Sequence, residues 1–263
     1  EPTIPVPGTS CARPNLTATN EVVCIGWRWT PDSSGCASAN GGSCSFHTTS
    51  GQRFSFSPQG TVLSYNDEES MAMTGWPDWG IKDESIQTGS SNVLALPSGD
   101  LFQSIYFSNS SDTGLHQLAL AGILSSDGGR EWRFLGMIAP TLAPTLQGPS
   151  ESASVVTQSG NVLVVFRVMS QGPKTWYNYR STVSAGSDEA GLRRWTPARP
   201  LATTPIASAR PKLQSVRLPD GSLRLLLAGG RPSLTLYMSL DGEGERWAPG
   251  VNVAQLHNKH FGN

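Results

Sequence analysis

A short hairpin pattern recurs along this chain at a fixed spacing. Each copy has a short apolar run, a tight turn centred on a glycine and a longer apolar run, and the glycines Gly99, Gly160 and Gly221 are 61 residues apart. Ser-Gly and Asp-Gly between alternating apolar residues are strong markers of β-hairpins. A weaker copy lies upstream around Gly60. Self-similarity at this period, with several short strands per unit, is typical of the blades of a β-propeller.

A second motif closes these units on a tryptophan. Residues 125–132 read S-x-D-x-G-x-x-W, which suits a tight turn between two antiparallel strands. The Asp127 side chain can accept hydrogen bonds from the backbone ahead of it, Gly129 can adopt a positive φ, and Trp132 can fold back and bury its ring. A copy with one extra residue covers 239–247 and includes Asp241, and a looser copy covers 187–195. We therefore expect Asp127 and Asp241 to build turns.

The composition favours an all-β fold. Charged residues make up 15% of the 263 residues, and 28 glycines and 19 prolines suit many turns. We predict a β-propeller of four-stranded antiparallel blades over residues 51–263, with a disulfide-rich segment over 1–50 packed on it. No apolar run approaches the ~18 residues of a membrane span. A net charge of −1 without a basic stripe indicates no nucleic-acid binding.

Four cysteines, Cys11, Cys24, Cys36 and Cys44, all lie near the N-terminus in a loop-rich stretch. An even number in one short segment favours two disulfides, for which three pairings are open. A zinc site is the alternative, but no C-x-x-C pair is present. We therefore expect disulfides, and neither a metal nor another cofactor.

Two sequons and the start of the chain point to the secretory pathway. Asn15 and Asn109 each begin an N-x-S/T triplet, the acceptor pattern for N-glycosylation. The sequence begins at Glu1 without a methionine or an apolar signal segment, as in a processed secretory protein. We expect a secreted or lumenal glycoprotein.

The octapeptides, known as Asp boxes, together with a hairpin that leads from a Glu to an Arg, resemble the sialidase (neuraminidase) superfamily. The resemblance covers residues 91–247. It implies a six-bladed propeller in which three arginines hold the carboxylate of sialic acid. It also implies a Tyr nucleophile activated by a Glu, and an Asp as the general acid. Planar guanidinium groups suit a carboxylate, and a neutral Tyr avoids repulsion by the substrate's own charge.

The best match to that family is the hairpin from Glu151 to Arg167. The resemblance assigns Glu151 as the base that activates the Tyr and Arg167 as one arginine of the clamp. The alternative is that Glu151 caps the start of a strand and Arg167 makes an ordinary ion pair. Arg231, in a Gly-Gly-Arg-Pro segment, resembles a second arginine of the clamp, and Arg210 competes with it for that role. A solvated turn arginine is the alternative for both.

Other parts of the family pattern are weak or absent. Asp112 has a comparable place to the general acid, with Asp83 as a fallback, although an exposed loop carboxylate is the simpler interpretation. The Arg-Ile-Pro segment of the family has no convincing counterpart. The expected nucleophile is also missing. Tyr237 is interpreted as a core residue, and the remaining tyrosines come too early in the chain: Tyr65, Tyr106, Tyr177 and Tyr179.

At about 61 residues per blade the sequence holds four to five blades. The propeller would then be closed by a missing segment of a longer chain or by a second chain, or it would be open or reduced. Trp76, in a polar Trp-Pro-Asp-Trp segment, would either stack on a sugar ring or pack at the end of the propeller. Two functions remain. One is a secreted hydrolase of terminal sialic or related acidic sugars, and the other is a non-catalytic propeller that binds glycans or builds an extracellular assembly.

Overall fold

In the part of the chain that the computed structural model describes, there are three antiparallel or largely antiparallel β-sheets and one short helix. The structure describes residues 10–12, 21–25, 28–31, 43–56, 62–77, 86–88, 92–108, 118–140, 148–169, 176–184, 191–202, 206, 209–230 and 233–253. Among these residues, no helix is both long enough and apolar enough to cross a membrane. The prediction of an all-β protein is confirmed.

The first sheet has ten strands in the order β1-β2-β4-β3-β6-β8-β9-β10-β5, with β7 paired to β8. It curls because β5 pairs with β10, in parallel, and also with β4. The strands are β1 (Ser10–Ala12), β2 (Glu21–Ile25), β3 (Arg28–Pro31), β4 (Ser43–Phe56), β5 (Val62–Pro77), β6 (Ile86–Gln87), β7 (Leu94–Ala95), β8 (Leu101–Ser108), β9 (Leu118–Ser125) and β10 (Glu131–Ala139).

The second and third sheets each have four antiparallel strands in chain order, as expected for blades. A short 3₁₀ helix, Gly191–Arg193, lies between the last two strands of the second sheet. The second sheet comprises β11 (Ser152–Val156), β12 (Asn161–Met169), β13 (Trp176–Ser184) and β14 (Arg199–Pro200). The third comprises β15 (Ala209–Arg217), β16 (Leu223–Gly230), β17 (Thr235–Met238) and β18 (Val251–Asn252).

The first sheet differs from the four-stranded blade expected throughout. The strands β4 and β5 are 14 and 16 residues long, and several register shifts interrupt their pairing. Such irregularities bend and twist strands, which lets a long hairpin turn a corner and pair with two sets of neighbours. The proposed domain boundary at residue 50 lies inside β4, and this division of the chain stays a prediction, as does the six-bladed count.

The three repeated turns have one geometry. Gly99, Gly160 and Gly221 have φ values of +93°, +79° and +81°. In each turn the residue three positions before the glycine donates its N–H to the carbonyl after the glycine and accepts the glycine N–H, at 2.8–3.0 Å. This is the hairpin of a type I turn followed by a left-handed residue, where glycine costs least. The sequence prediction of three equivalent hairpins is confirmed.

The octapeptide turns are organised by their aspartates. The Asp127 carboxylate accepts hydrogen bonds from Ser125 Oγ and from the backbone N–H groups of Arg130 and Glu131, at 2.7–3.1 Å. These backbone donors lie three and four residues ahead of the aspartate. Gly129 has φ +90°, and the fully buried Trp132 donates its indole N–H to the Gly129 carbonyl.

The longer copy of the octapeptide forms a similar turn. Asp241 accepts from the backbone N–H groups of Glu243, Glu245 and Arg246, and Trp247 donates its indole N–H to the Gly244 carbonyl. The extra residue is therefore absorbed inside the turn. Residues 187–190 of the third copy lie outside the described residues.

We expect the two octapeptide aspartates to make stability depend on acid pH. Burial raises the pKa of Asp127 and of Asp241, but the backbone hydrogen bonds outweigh it and hold each pKa below its ordinary value. The stabilisation is therefore complete above the unfolded-state pKa of about 4 and is lost as the pH falls through the lower folded-state pKa. Denaturant unfolding should show Asp127→Asn and Asp241→Asn less stable than wild type at pH 7, with the deficit shrinking toward pH 2. An equal deficit at both pH values would contradict this.

The three sheets stack one on the next through their apolar side chains, and β12 of the second sheet lies between the first and third sheets. Val164 and Phe166 face the first sheet and pack against Phe102, whereas Leu163 and Val165 face the third sheet. Successive strand residues point to opposite faces, so a strand covered on both sides is apolar throughout. This explains the uninterrupted apolar run that precedes Arg167.

The predicted role of Trp76 is decided by its burial. Trp76 is fully buried and makes edge contacts with Phe107 and Phe134, so its ring belongs to the core and is not a platform for a sugar.

The outward face of the third sheet is apolar and accessible to solvent, because six apolar side chains on it are 38–54% exposed. They are Leu234, Leu236, Met238, Leu240, Val251 and Val253.

Candidate anion-binding site

Strand direction brings four chemically active side chains to one end of the stacked sheets. The strands β8 and β12 lead away from the glycine turns, and Tyr106 and Arg167 lie near their far ends. Glu151 directly precedes β11, and Arg210 lies at the start of β15. We call this end the rim, defined by Tyr106, Glu151, Arg167 and Arg210. A hydrogen bond between the buried Ser104 and Ser152 hydroxyls aligns the first two sheets just below it, with 2.9 Å between the two oxygens.

Glu151 and Arg167 form an ion pair at the rim, where the two ends of their hairpin meet. Arg167 Nη1 lies 3.2 Å from Glu151 Oε2, and the two side chains are only 12% and 14% exposed. The backbone N–H of Arg167 donates to the Glu151 carbonyl, and Arg167 Nε donates to Ser150 Oγ. The pair is therefore anchored by the end of the hairpin itself and partly shielded from water.

Arg210 reaches the same carboxylate from the third sheet. Its Nε lies 3.4 Å from Glu151 Oε1, and its backbone N–H donates to Glu151 Oε2 at 3.1 Å. Arg210 has φ +51° and lies where the register of β15 and β16 shifts between Ala209 and Lys212. Bulges of this kind redirect a side chain and are common beside functional sites. Arg210, the weaker candidate from the sequence, is thus brought to Glu151 by the structure.

Tyr106 is a rim residue, although its position in the sequence is too early for the tyrosine nucleophile of the family pattern. Its hydroxyl donates to Gln87 Oε1 at 2.6 Å, across a directly paired position of β6 and β8. Burial raises the pKa of Tyr106, and the charge of Glu151 raises it further, while Arg167 and Arg210 oppose both effects. Tyr106 therefore adds a protonated phenol from the first sheet to a cluster built by the other two.

The rim carries more positive than negative charge. Burial and the nearby charge of Arg210 lower the pKa of Lys212, whereas Glu151 raises it. Lys212 therefore lies within electrostatic range of the pair. In the described part of the chain, two guanidinium groups therefore face one carboxylate. Such a surplus at a partly desolvated cluster favours an anionic ligand.

The octapeptide turns lie at the opposite end, as expected for structural elements. Glu243 accepts hydrogen bonds from the Thr157 hydroxyl and from the Ser159 N–H, which joins the Asp241 turn to the Gly160 turn of the neighbouring sheet. Arg180, buried between the same sheets, donates to the carbonyls of Gly244 and Glu243. The rim and the turn end therefore have separate roles.

Several predicted residues lie outside the described residues: Asp112, Asp83, Arg231, Asn15, Asn109 and Cys36. Their assignments stay predictions. Tyr237 packs against the apolar cluster between the second and third sheets, as its interpretation as a core residue predicted.

Among the cysteines, Cys24 is buried and disulfide-bonded. It lies directly opposite Cys11 in the antiparallel pair β1–β2, at a separation that suits a disulfide. We propose Cys11 as its partner. Cys44 belongs to β4, and the second disulfide expected from the sequence stays a prediction.

The sequence matches no family model and no curated protein. Its structure resembles solved structures, among them a protein of unknown function from Dyadobacter fermentans, with a TM-score of 0.56 and 12% identity over 93% of this chain. The Hadza microbial sialidase Hz136 also gives a TM-score of 0.56, with 16% identity over 93% of this chain. The likeness is one of fold. The chain spans 63% of the first protein's length and 44% of the second's.

Proposed function

We propose that the rim binds the carboxylate of an acidic sugar, and that the protein is a sialidase-like glycoside hydrolase of terminal sialic or related acidic sugars. One observation carries the proposal: Arg167 and Arg210, from two different sheets, converge on the single carboxylate of Glu151. The family resemblance seen in the sequence and the sialidase among the structural neighbours support the same ligand class.

The geometry suits a carboxylate ligand. In the described structure Arg210 uses its Nε and its backbone N–H on Glu151, and its side chain is 73% exposed. Its terminal nitrogens can therefore reach a ligand from solvent. Guanidinium groups bind carboxylates through paired, charge-assisted hydrogen bonds, which are about twice as strong as neutral ones. A sialoglycoconjugate fits as the partner because its terminal sugar presents a carboxylate beside neutral hydroxyl groups.

In a hydrolase, Glu151 would accept the proton of an attacking tyrosine. Within the described ranges, its carboxylate is bound by Arg167 and Arg210 and by no tyrosine, and Tyr106 donates to Gln87. This arrangement favours a second candidate, a glycan-binding module that keeps the clamp without turnover.

Hydrolysis of a fluorogenic sialoside by the full-length protein separates the two functions. For a hydrolase we expect turnover in wild type and its loss, by about 100-fold or more, in Glu151→Gln, because removal of a general base typically costs 10²–10⁴-fold. Arg217→Ala is the matched control, since Arg217 lies at the opposite end of β15 and bonds the Gly221 carbonyl. It should keep full activity.

Binding of the sialoside without turnover, by a folded wild type, would favour the glycan-binding module. If the folded protein shows no binding and no turnover, the proposal as a whole is contradicted. The propeller architecture, the extracellular location and the glycosylation of Asn15 and Asn109 stay predictions within it.

A further inference from the structure

We infer that Glu151 is a positioning residue for Arg210: it holds the left-handed bulge that aims the Arg210 guanidinium at the ligand. The ligand in this inference rests on the proposed function, whereas the contact between Glu151 and Arg210 does not. This role is separate from that of a catalytic base, because Glu151 would act on the ligand through Arg210.

The backbone of Arg210 needs an external support. A φ of +51° is uncommon for a residue with a side chain, since the Cβ crowds the following carbonyl. Such a conformation persists where the surroundings make enough contacts to maintain it. The strand pairing does not supply them here, because the register between β15 and β16 shifts from Ala209 to Lys212. The support must therefore come from contacts outside this ladder.

Glu151 supplies two such contacts across the boundary between the second and third sheets. Its Oε2 accepts the Arg210 backbone N–H, and its Oε1 pairs with Arg210 Nε. The first contact satisfies the backbone donor at the strained residue, and the second sets the direction in which the side chain leaves it. One carboxylate thus restrains both the main chain and the side chain of Arg210.

Glu151 can act as a fixed support because it is itself held. Arg167 binds the carboxylate at Oε2, and the Arg167 N–H binds the Glu151 carbonyl. Glu151 is 14% exposed, whereas the Arg210 side chain is 73% exposed. The anchored hairpin of the second sheet therefore restrains the Arg210 side chain of the third sheet, which would otherwise sample many rotamers. Pre-organisation of this kind raises affinity because less freedom is lost on binding.

The alternative is that Glu151 only competes with the ligand for the arginines. In that case its carboxylate would occupy the donors that a ligand carboxylate needs, and removing it would strengthen binding. The two roles therefore predict opposite signs for the same substitution.

The experiment compares wild type, Glu151→Ala and Glu151→Gln in the full-length protein, with two readouts. The first is amide hydrogen exchange of Arg210 measured by NMR without ligand, and the second is affinity for free sialic acid by calorimetry. In Glu151→Ala we expect Arg210 exchange to be about tenfold faster and affinity about tenfold lower, because a charge-assisted hydrogen bond is lost. Glu151→Gln keeps an oxygen for the Arg210 N–H and should recover most of the exchange protection. The Gly221 amide, in the turn that joins β15 to β16 at the opposite end of the sheet, should be unaffected and reports that the hairpin is intact.

Unchanged exchange at Arg210, or equal or tighter binding of sialic acid by Glu151→Ala, would overturn the positioning role. If wild type does not bind sialic acid but Arg210 exchange still accelerates in Glu151→Ala, the positioning contact is supported and the proposed ligand is refuted. The two failures are thus separable.

Discussion

Arg167→Ala should weaken the binding of sialic acid by about 100-fold, which corresponds to about 2.7 kcal/mol. The substitution removes the guanidinium that anchors Glu151 and that is proposed to bind the ligand, and it leaves the 14% exposed Glu151 carboxylate with Arg210 as its remaining ion-pair partner among the described residues. Calorimetric titration of the full-length protein with free sialic acid measures the effect, and circular dichroism shows whether the sheets persist.

Arg167→Lys serves as the conservative comparison. Lysine keeps the charge but lacks the planar fork, so we expect a loss of about tenfold, between wild type and alanine. Arg217→Ala, at the turn end of the third sheet, should bind like wild type. Unchanged affinity in Arg167→Ala with intact secondary structure would remove Arg167 from the binding site.

Arg180→Ala should have the largest effect on stability and lower the free energy of unfolding by about 2–3 kcal/mol, because it removes hydrogen bonds from a buried charged donor. Arg180 is only 3% exposed, donates to the carbonyls of Gly244 and Glu243, and pairs with Glu245 at 3.2 Å. Burial lowers the pKa of Arg180, and Glu245 is the main group that opposes this shift. Its removal takes the guanidinium donor from the Glu243 carbonyl and leaves the Gly244 carbonyl with the Trp247 indole N–H, between the second and third sheets. Denaturant unfolding measures the change.

Arg199→Ala is the matched control, because Arg199 pairs with the same Glu245 at 2.7 Å but is 53% exposed. A pair on the surface contributes about 0–1 kcal/mol, so Arg199→Ala should cost no more than that. Similar losses in the two variants would show that burial of Arg180 adds nothing to the joint between the sheets.

The turn chemistry was predictable because it is local. Asp127 bonds donors three and four residues ahead, and Gly99, Gly160 and Gly221 each close a hairpin within five residues. Residue type and spacing decide such contacts almost independently of the rest of the chain. The Glu151–Arg167 pair was also within reach of the sequence, because a single hairpin joins its two ends.

The sequence by itself therefore determined the all-β class, the repeated turns, the octapeptide loops and the proximity of Glu151 and Arg167 at the rim. Only the tertiary structure decided the rest of the site. Arg210 reaches Glu151 across 59 residues, and Tyr106 reaches Gln87 through the pairing of β6 and β8. Strand register, bulges and the stacking of the sheets set these contacts. All three depend on packing between segments that are distant in the sequence, so a local run of residues does not predict them.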